Sequence, residues 1–351
     1  MDVIGPDRDA APAAATVIDE VIAPLANDID EIGVPRSSID ALAAAGLLGS
    51  PLPIAQQREV GERIAMADAS TWFCWTQHQS PLLALEGATD APVLRGRWLD
   101  GLRTGRMLGA VAFAHVRRPG PPNPVARRVD GGWLLDGTLD WVTSWDIADV
   151  VMLLVKDADA DAFVCCYLPA GRSVERRPGM TIGEPLRLLA MSGTHTRPIA
   201  LDGVFIADDE TAAIVDAPLW HRADAIRTCD ANPAAFGLVR GAVAELAAMG
   251  RPVCDEAVAA FTDECRAIRS QAYALADVAD EGNGAQRLRL RAASLDLAVR
   301  ATTAAIVARS GAAMRRGTSA ERRVREAMFL QVQAQTAASQ SAGLDLLSRG
   351  R

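Results

Sequence analysis

The chain has 351 residues, half of them apolar and 23% charged, and a net charge of −8 from 36 basic and 44 acidic side chains. Mixed charge with a mean hydropathy of +0.10 excludes a disordered chain, and the acidic balance argues against sequence-independent nucleic-acid binding, which rests on neutralising phosphates. No apolar run reaches the ~18 residues of a membrane span, and the opening MDVIGPDRD lacks the features of a secretory signal, so the expectation is a soluble, cytoplasmic protein of two or three domains or one multilayer fold.

Residues 1–105 read as helical. VIDEVIAPLANDIDEI repeats apolar residues at three- and four-residue steps. SSIDALAAAGLL follows, where Ser37 or Ser38 can cap a helix that ends near Gly46. A further helix is expected over 55–68. The apolar, aromatic ADASTWFCWTQHQSPLLAL then gives a buried helix, and one more short helix is expected near 93–104.

Residues 106–217 change character. MLGAVAFAH, GGWLLDGTLDWVTS, DVVMLLV, AFVCCYLP and RPIALDGVFI are short apolar or alternating runs punctuated by Gly, Pro, Asp and Asn, which is a strand-and-turn pattern. RRPGPPNPVARR carries four prolines and is expected to be a loop. From 218 to 351 the pattern is helical again. Pro233 stands near one helix start and Gly250 at its end, and Gly282-Asn283-Gly284 separates two Ala-rich amphipathic segments. A last helix is expected from Ser319 to Leu347. The six cysteines (74, 165, 166, 229, 254 and 265) contain no CxxC pair, and no histidine pair has metal-ligand spacing. They are expected to be free thiols, and no metal is expected. Lys156 is the single lysine.

The order of helical domain, β-domain and helical bundle, an α+β and mostly helical arrangement, resembles the acyl-CoA dehydrogenase superfamily. The resemblance is carried by SSIDALAAAGLLGSPLP, GERIAMADAST, GGWLLDGTLDWVTSWDIADVVMLLV, LRLLAMSGTHTRPIALDGVFI and ERRVREAMFLQVQAQT, in that order. It implies an N-terminal helical domain (1–105), a central β-domain (106–217) and a C-terminal four-helix bundle (218–351). It also implies a flavin beside the WVTS turn. Trp141, Thr143 and Ser144, with Ser192 and Thr194 of SGTHT, are then the cofactor-binding residues. An indole suits a flat ring face, and hydroxyls suit the ring's polar edge.

The departures from the family pattern bear on the reaction. Dehydrogenases of this family use a carboxylate to remove a proton beside a thioester, within a Glu-Gly-Thr motif. Here the equivalent positions fall on Ala334, Gln335 and Thr336, and an alternative placement of the base on an earlier helix falls near Arg227, in a stretch without Glu. Alanine cannot abstract a proton. The Thr-Glu-Pro-x-x-Gly-Ser-Asp loop is replaced by AFAHVRRPGPPNP, and the Arg-x-x-Phe-Gly segment that helps hold the AMP half of FAD is reduced to MGRP.

This set of losses resembles the oxygenase components of two-component flavin-dependent monooxygenases, of the dibenzothiophene monooxygenase and 4-hydroxyphenylacetate hydroxylase type. That resemblance implies reduced flavin, FMN in preference to FAD, supplied by a separate flavin reductase. It implies oxygen transfer to a small, aromatic molecule through a flavin C4a-hydroperoxide, and a homodimer or homotetramer. By it, Ser144 and His78 are the candidate catalytic residues. His115, Trp75, Trp145 and His221 are the candidate substrate contacts. On the residues alone His78 could equally be a core histidine bonded to a carbonyl, and His195 reads as a surface turn residue. Arg117, Arg118, Arg127 and Arg128 read as a solvated face or as a grip for an anion. Two other functions stay open: an acyl-CoA dehydrogenase-like oxidoreductase with a displaced base, and a non-catalytic binding subunit.

Overall fold

The computed structural model describes residues 12–349 apart from 50, 174, 176 and 281. The first helical stretch runs through α1 (Pro12–Val17), a wider turn at Ile18–Ile22 and α2 (Ile29–Ile32) into α3 (Arg36–Ala44), α4 (Ile54–Ala67), α5 (Ala69–Gln77), α6 (Gln79–Gly87), α7 (Pro92–Leu94) and α8 (Asp100–Arg103). Neither Ser37 nor Ser38 caps α3. Pro35 takes the cap position with its extended ψ of 138°, and both serines lie in the first turn. The buried aromatic segment is broken into α5 and α6 at His78. Asp68 caps α5 by accepting the Ser70 and Thr71 N–H groups at 3.3 and 2.7 Å.

The middle of the chain is one eight-stranded sheet: β1 (Gly109–Ala112), β2 (Val125–Val129), β3 (Gly132–Val142), β4 (Val150–Asp157), β5 (Ala162–Pro169), β6 (Met180–Ile182), β7 (Arg197–Ala207) and β8 (Thr211–Asp216). The order is β6-β7-β3-β2-β4-β5-β8, and β1 pairs parallel with β4. Only part of the proline-rich stretch is loop. Val125–Val129 pairs with β3, because the prolines end at Pro124 and the next N–H groups are free to join the ladder. β6 and β8, which the residue pattern did not reveal, are a three-residue strand and a largely exposed edge strand.

β4 and β5 are buried on both faces, which is why they read as unbroken apolar runs. Val151, Leu153, Val155, Val164, Cys166 and Leu168 face the main core, while Val150, Met152, Leu154, Phe163, Cys165 and Tyr167 face a second core under α6–α8. The strand period of two thus points Cys165 and Cys166 to opposite faces.

The C-terminal stretch consists of α9 (Ala217–Arg227), α10 (Pro233–Ala248), α11 (Pro252–Ala276), α12 (Gly284–Arg309), α13 (Ser319–Val332) and α14 (Ala337–Arg349). α10 is central and packs on α4, α11, α12 and α13. It approaches α4 so closely that a Cβ on Gly237 would lie 2.3 Å from the Glu62 carbonyl oxygen. Between α4, α10 and α11 the buried Glu59 and Glu62 meet Arg240 and Arg269, and Tyr273 donates to Glu62. Each buried carboxylate therefore has partners.

The single helix expected from Ser319 to Leu347 is two helices. At the break the Arg291 guanidinium takes the Gln333 carbonyl at 2.7 Å, and Ala334 turns left-handed at φ +48°. Thr336 and Ser339 then cap the restart reciprocally, Thr336 N–H to Ser339 Oγ at 2.8 Å and Ser339 N–H to Thr336 Oγ1 at 3.3 Å. Residues of all three stretches share the main core, and no described helix is long and apolar enough to cross a membrane.

Candidate active site

A cavity of about 710 Å³ opens where the three stretches meet, a size typical of small-molecule sites. α5 and α6 contribute Phe73, Thr76, Gln77 and Ser80. β1 and the turn after it bring Val111, Phe113, Ala114, Arg117 and Arg118, and β3 with the turn after it brings Trp141 and Thr143. Leu188, Leu189 and Ala190 close one side; Met328, Phe329, Val332, Gln333 and Ala334, from the end of α13, close the other. Phe73 and Phe329 meet edge to face at 5.0 Å, so the wall is largely aromatic and aliphatic.

Among the described residues that line this cavity there is no Asp, Glu or His, and the charged groups are two arginines. Arg117 is fixed by a bidentate pair with the buried Asp224, both bonds 2.7 Å, and lies over Phe113 and Trp220. Arg118 is half exposed and pairs with the exposed Asp140. Ala334, the position that the family resemblance gave to the carboxylate base, lies on the wall.

The residues expected from the sequence divide into layers. Trp141, 44% exposed, and Thr143 are on the wall. Thr143 Oγ1 joins a hydroxyl chain through Thr196 (3.2 Å) to Thr194 (2.8 Å), which donates to the Met191 carbonyl at 2.7 Å. Ser144 lies behind Thr143. Its backbone is left-handed at φ +66°, its N–H donates to the Thr194 carbonyl at 2.9 Å, and its Oγ is buried against the Cys74 thiol. Such a backbone is uncommon outside glycine. The Cys74 thiol beside it is pushed up to about 12 by burial and stays protonated at neutral pH. Ser192 and Thr194 form the supporting turn and do not line the cavity; Ser192 Oγ donates to the Leu188 carbonyl at 3.2 Å.

His78 is not on the wall. It is fully buried, with Nε2 at 3.0 Å from the Leu102 carbonyl and Nδ1 accepting the Gly109 N–H at 3.2 Å. The acceptor role of Nδ1 fixes the proton on Nε2, and burial lowers the ring to about 4. Both ring nitrogens are engaged in joining the α5–α6 break to α8 and β1, so His78, expected as a catalytic residue, sits behind the wall with its polar atoms occupied. Trp75 donates its indole N–H to the Leu47 carbonyl at 2.6 Å within the main core, and Trp145 is buried in the same core. Both, expected as substrate contacts, lie in the core and off the cavity wall, because packing between helix and sheet takes their surface.

His115 and His221 do come together, but in a different place. They line a smaller polar pocket of about 360 Å³ under the Pro119–Pro124 loop, with Lys156 and Arg118. His115 Nε2 lies 2.6 Å from the Leu154 carbonyl, and burial lowers this histidine. His221 stands edge-on to Phe163 and Trp220. His195, expected on the surface, is partly buried and bridges the Val34 carbonyl (3.0 Å) and Asp146 (3.4 Å). The sequence reading missed Phe73, Phe113, Phe329 and Gln333. The first three look like ordinary core residues, and Gln333 lies inside an apparently continuous helical pattern.

No protein-family model matches the chain. A curated relative, benzylmalonyl-CoA dehydrogenase of Aromatoleum aromaticum, is 25% identical over 229 residues, 59% of this chain and 57% of the relative. The chain thus spans little more than half the length of the curated relative it matches. Among solved structures it is similar to glutaryl-CoA dehydrogenase of Mycobacterium smegmatis in complex with FADH2 (TM-score 0.80, 17% identity, 98% and 96% of the two chains). It is also similar to dibenzothiophene monooxygenase of Paenibacillus sp. A11-2 (TM-score 0.75, 18% identity, 98% of each chain). A third similar protein was solved with FMN and a dTDP-linked amino-keto sugar (TM-score 0.74, 20% identity, 100% and 97%). The chain has the acyl-CoA dehydrogenase fold over nearly its whole length.

Proposed function

We propose that this protein is a flavin-dependent oxidoreductase, and specifically a monooxygenase that takes reduced flavin from a separate reductase and acts on a small, largely apolar molecule. The observation that supports this most is the cavity wall, which carries an alanine where a dehydrogenase needs its base and, among the described residues, holds no Asp, Glu or His. Proton abstraction beside a thioester needs such a group; oxygen transfer does not. The relatives solved with FADH2 and with FMN, and the monooxygenase among them, agree with a flavin in this fold.

The wall fits the cofactor's ring. Trp141 presents an exposed indole to the cavity, and a flat ring gains offset-stacking energy there. Beside it Thr143 Oγ1, held by Thr196, offers a hydroxyl to a ring edge. Bound reduced flavin would supply two electrons and activate dioxygen, one oxygen atom passing to the substrate and the other leaving as water. The chain's own part is to orient and to keep water out. Phe73, Phe113 and Phe329 exclude solvent, and Gln77 is held by donating to the Phe73 carbonyl at 3.1 Å. FMN is favoured over FAD because the segment that holds the AMP half is shortened to MGRP. The resemblance to the acyl-CoA dehydrogenase superfamily favours a homodimer or homotetramer.

The test is an anaerobic titration with reduced FMN followed by a stopped-flow pulse of oxygen. Saturable binding, and a transient absorbing species distinct from both oxidised and reduced flavin, support the proposal. Binding no better than to a control protein, or reoxidation at the rate of free flavin, sinks it. The match to a dehydrogenase favours a second reading, acyl-CoA oxidation with a base from outside the cavity. Bleaching of bound FAD by an acyl-CoA would establish that instead.

A further inference from the structure

The orientation of one amide in the cavity is fixed by a chain of bonds that starts outside it. Asn232 caps α10, its Oδ1 accepting the Ala234 N–H at 2.9 Å. A capping oxygen must accept, so the other end of that amide must donate. Asn232 Nδ2 donates to Gln333 Oε1 at 3.0 Å. The Gln333 oxygen is thereby engaged, and Nε2, with two N–H groups, is the polar atom of this side chain without a partner among the described residues. The backbone is held as well: the Gln333 carbonyl accepts from Arg291 Nη2, and Arg291 Nη1 also reaches the carbonyls of Thr228 (3.2 Å) and Asp230 (3.3 Å). Gln333 lines the main cavity.

Among the described residues of the same wall the charge is all positive. Arg117 is already neutralised by the buried Asp224. Arg118 is not held in this way, because its partner Asp140 is exposed and such pairs are weak. An anion brought into the less polar cavity competes well for that guanidinium. Around these groups stand Phe73, Phe113, Trp141 and Phe329.

We infer that the cavity selects a ligand with an anionic oxygen on a flat apolar body, an aromatic carboxylate or phenolate, and that Gln333 Nε2 and the Arg118 guanidinium recognise that oxygen. Asn232 is the positioning residue that keeps Gln333 a donor. The inference rests on the reading that the cavity receives a small substrate beside a flavin. The anionic oxygen has two possible sources, the substrate or the phosphate of the flavin itself.

Benzoate and benzylamine are titrated into the purified full chain, followed by tryptophan fluorescence and calorimetry, without flavin and with reduced FMN under anaerobic conditions. FMN and riboflavin are titrated in parallel. Benzoate is expected to bind at least about tenfold more tightly than benzylamine. Gln333→Leu and Arg118→Gln each weaken benzoate about tenfold. Gln333→Glu keeps the bond from Asn232 but faces the cavity with an acceptor, and shifts the preference toward benzylamine. Asn232→Ser keeps a capping oxygen yet releases Gln333, and weakens benzoate by less than Gln333→Leu.

Equal affinity for the two probes, or benzoate binding unchanged in both Gln333 variants, overturns the inference. So does an Arg118→Gln variant that loses its preference for FMN over riboflavin while binding benzoate normally, because the anion is then the flavin's phosphate. These titrations involve no turnover. Charge selection retained without any oxygen transfer would sink the monooxygenase reading alone.

Discussion

Asp68 gives the sharpest test of how the cavity's helices are held. It is fully buried, caps α5, and lies 3.9 Å from Arg322. Glu326 also bonds Arg322, at 2.7 Å, and leaves its own Oε2 without a partner. Burial first, and then the neighbouring Glu326, raise Asp68 from its ordinary 3.8 to about 6. The folded state therefore holds a proton on Asp68 more readily than the unfolded chain between about pH 4 and 6. The stability that this group contributes is present below pH 4 and is lost as pH rises through 6. A shift of this size corresponds to about 3 kcal/mol.

Asp68→Asn keeps a capping oxygen of equal quality and removes the titration. Unfolding by guanidinium chloride between pH 3.5 and 7.5, wild type against variant, isolates the term. The stability of the variant relative to wild type should rise by about 3 kcal/mol between pH 4 and 6 and stay level above. A flat difference would refute the argument. So would a wild type that gains on the variant with rising pH, because attraction to Arg322 would then outweigh burial.

Three further outcomes follow from the same geometry. His78, lowered by burial to about 4, contributes stability that is fully present above pH 6.5 and lost as pH falls through 4. His78→Gln should flatten that slope, by about 3 kcal/mol, and leave the affinity for reduced FMN within about twofold, as measured by denaturation and anaerobic titration. Arg291→Met leaves three carbonyls, of Thr228, Asp230 and Gln333, without their donor. It should cost about 3 kcal/mol and raise hydrogen exchange at 333–336 above that of the rest of the bundle; a loss below ~1 kcal/mol with unchanged exchange counts against the clamp. Trp141→Ala should weaken reduced FMN about tenfold through lost stacking at unchanged thermal stability, since the indole is 44% exposed. Unaltered affinity would remove Trp141 from the cofactor's wall.

Local pattern along the chain sufficed for the order of the elements. Apolar periods of about four residues at both ends and unbroken apolar runs in the middle are local signals, and the helices and most strands stand where they point. It also exposed the alanine at position 334, because a missing carboxylate can be read from a string. The cavity was decided elsewhere. His78, Trp75 and Trp145 have the composition of site residues, yet they are taken up by carbonyls and core packing that come from distant parts of the chain: Leu102, Leu47 and the sheet. The break at Gln333 is invisible in ERRVREAMFLQVQAQT because it is made by Arg291, 42 residues away. That break puts Gln333 on the cavity wall, and the cap of a different helix sets which atom of its amide is free. Local propensity is a sum over neighbours in sequence, whereas hydrogen-bond satisfaction is a sum over neighbours in space, and only the fold supplies the second list.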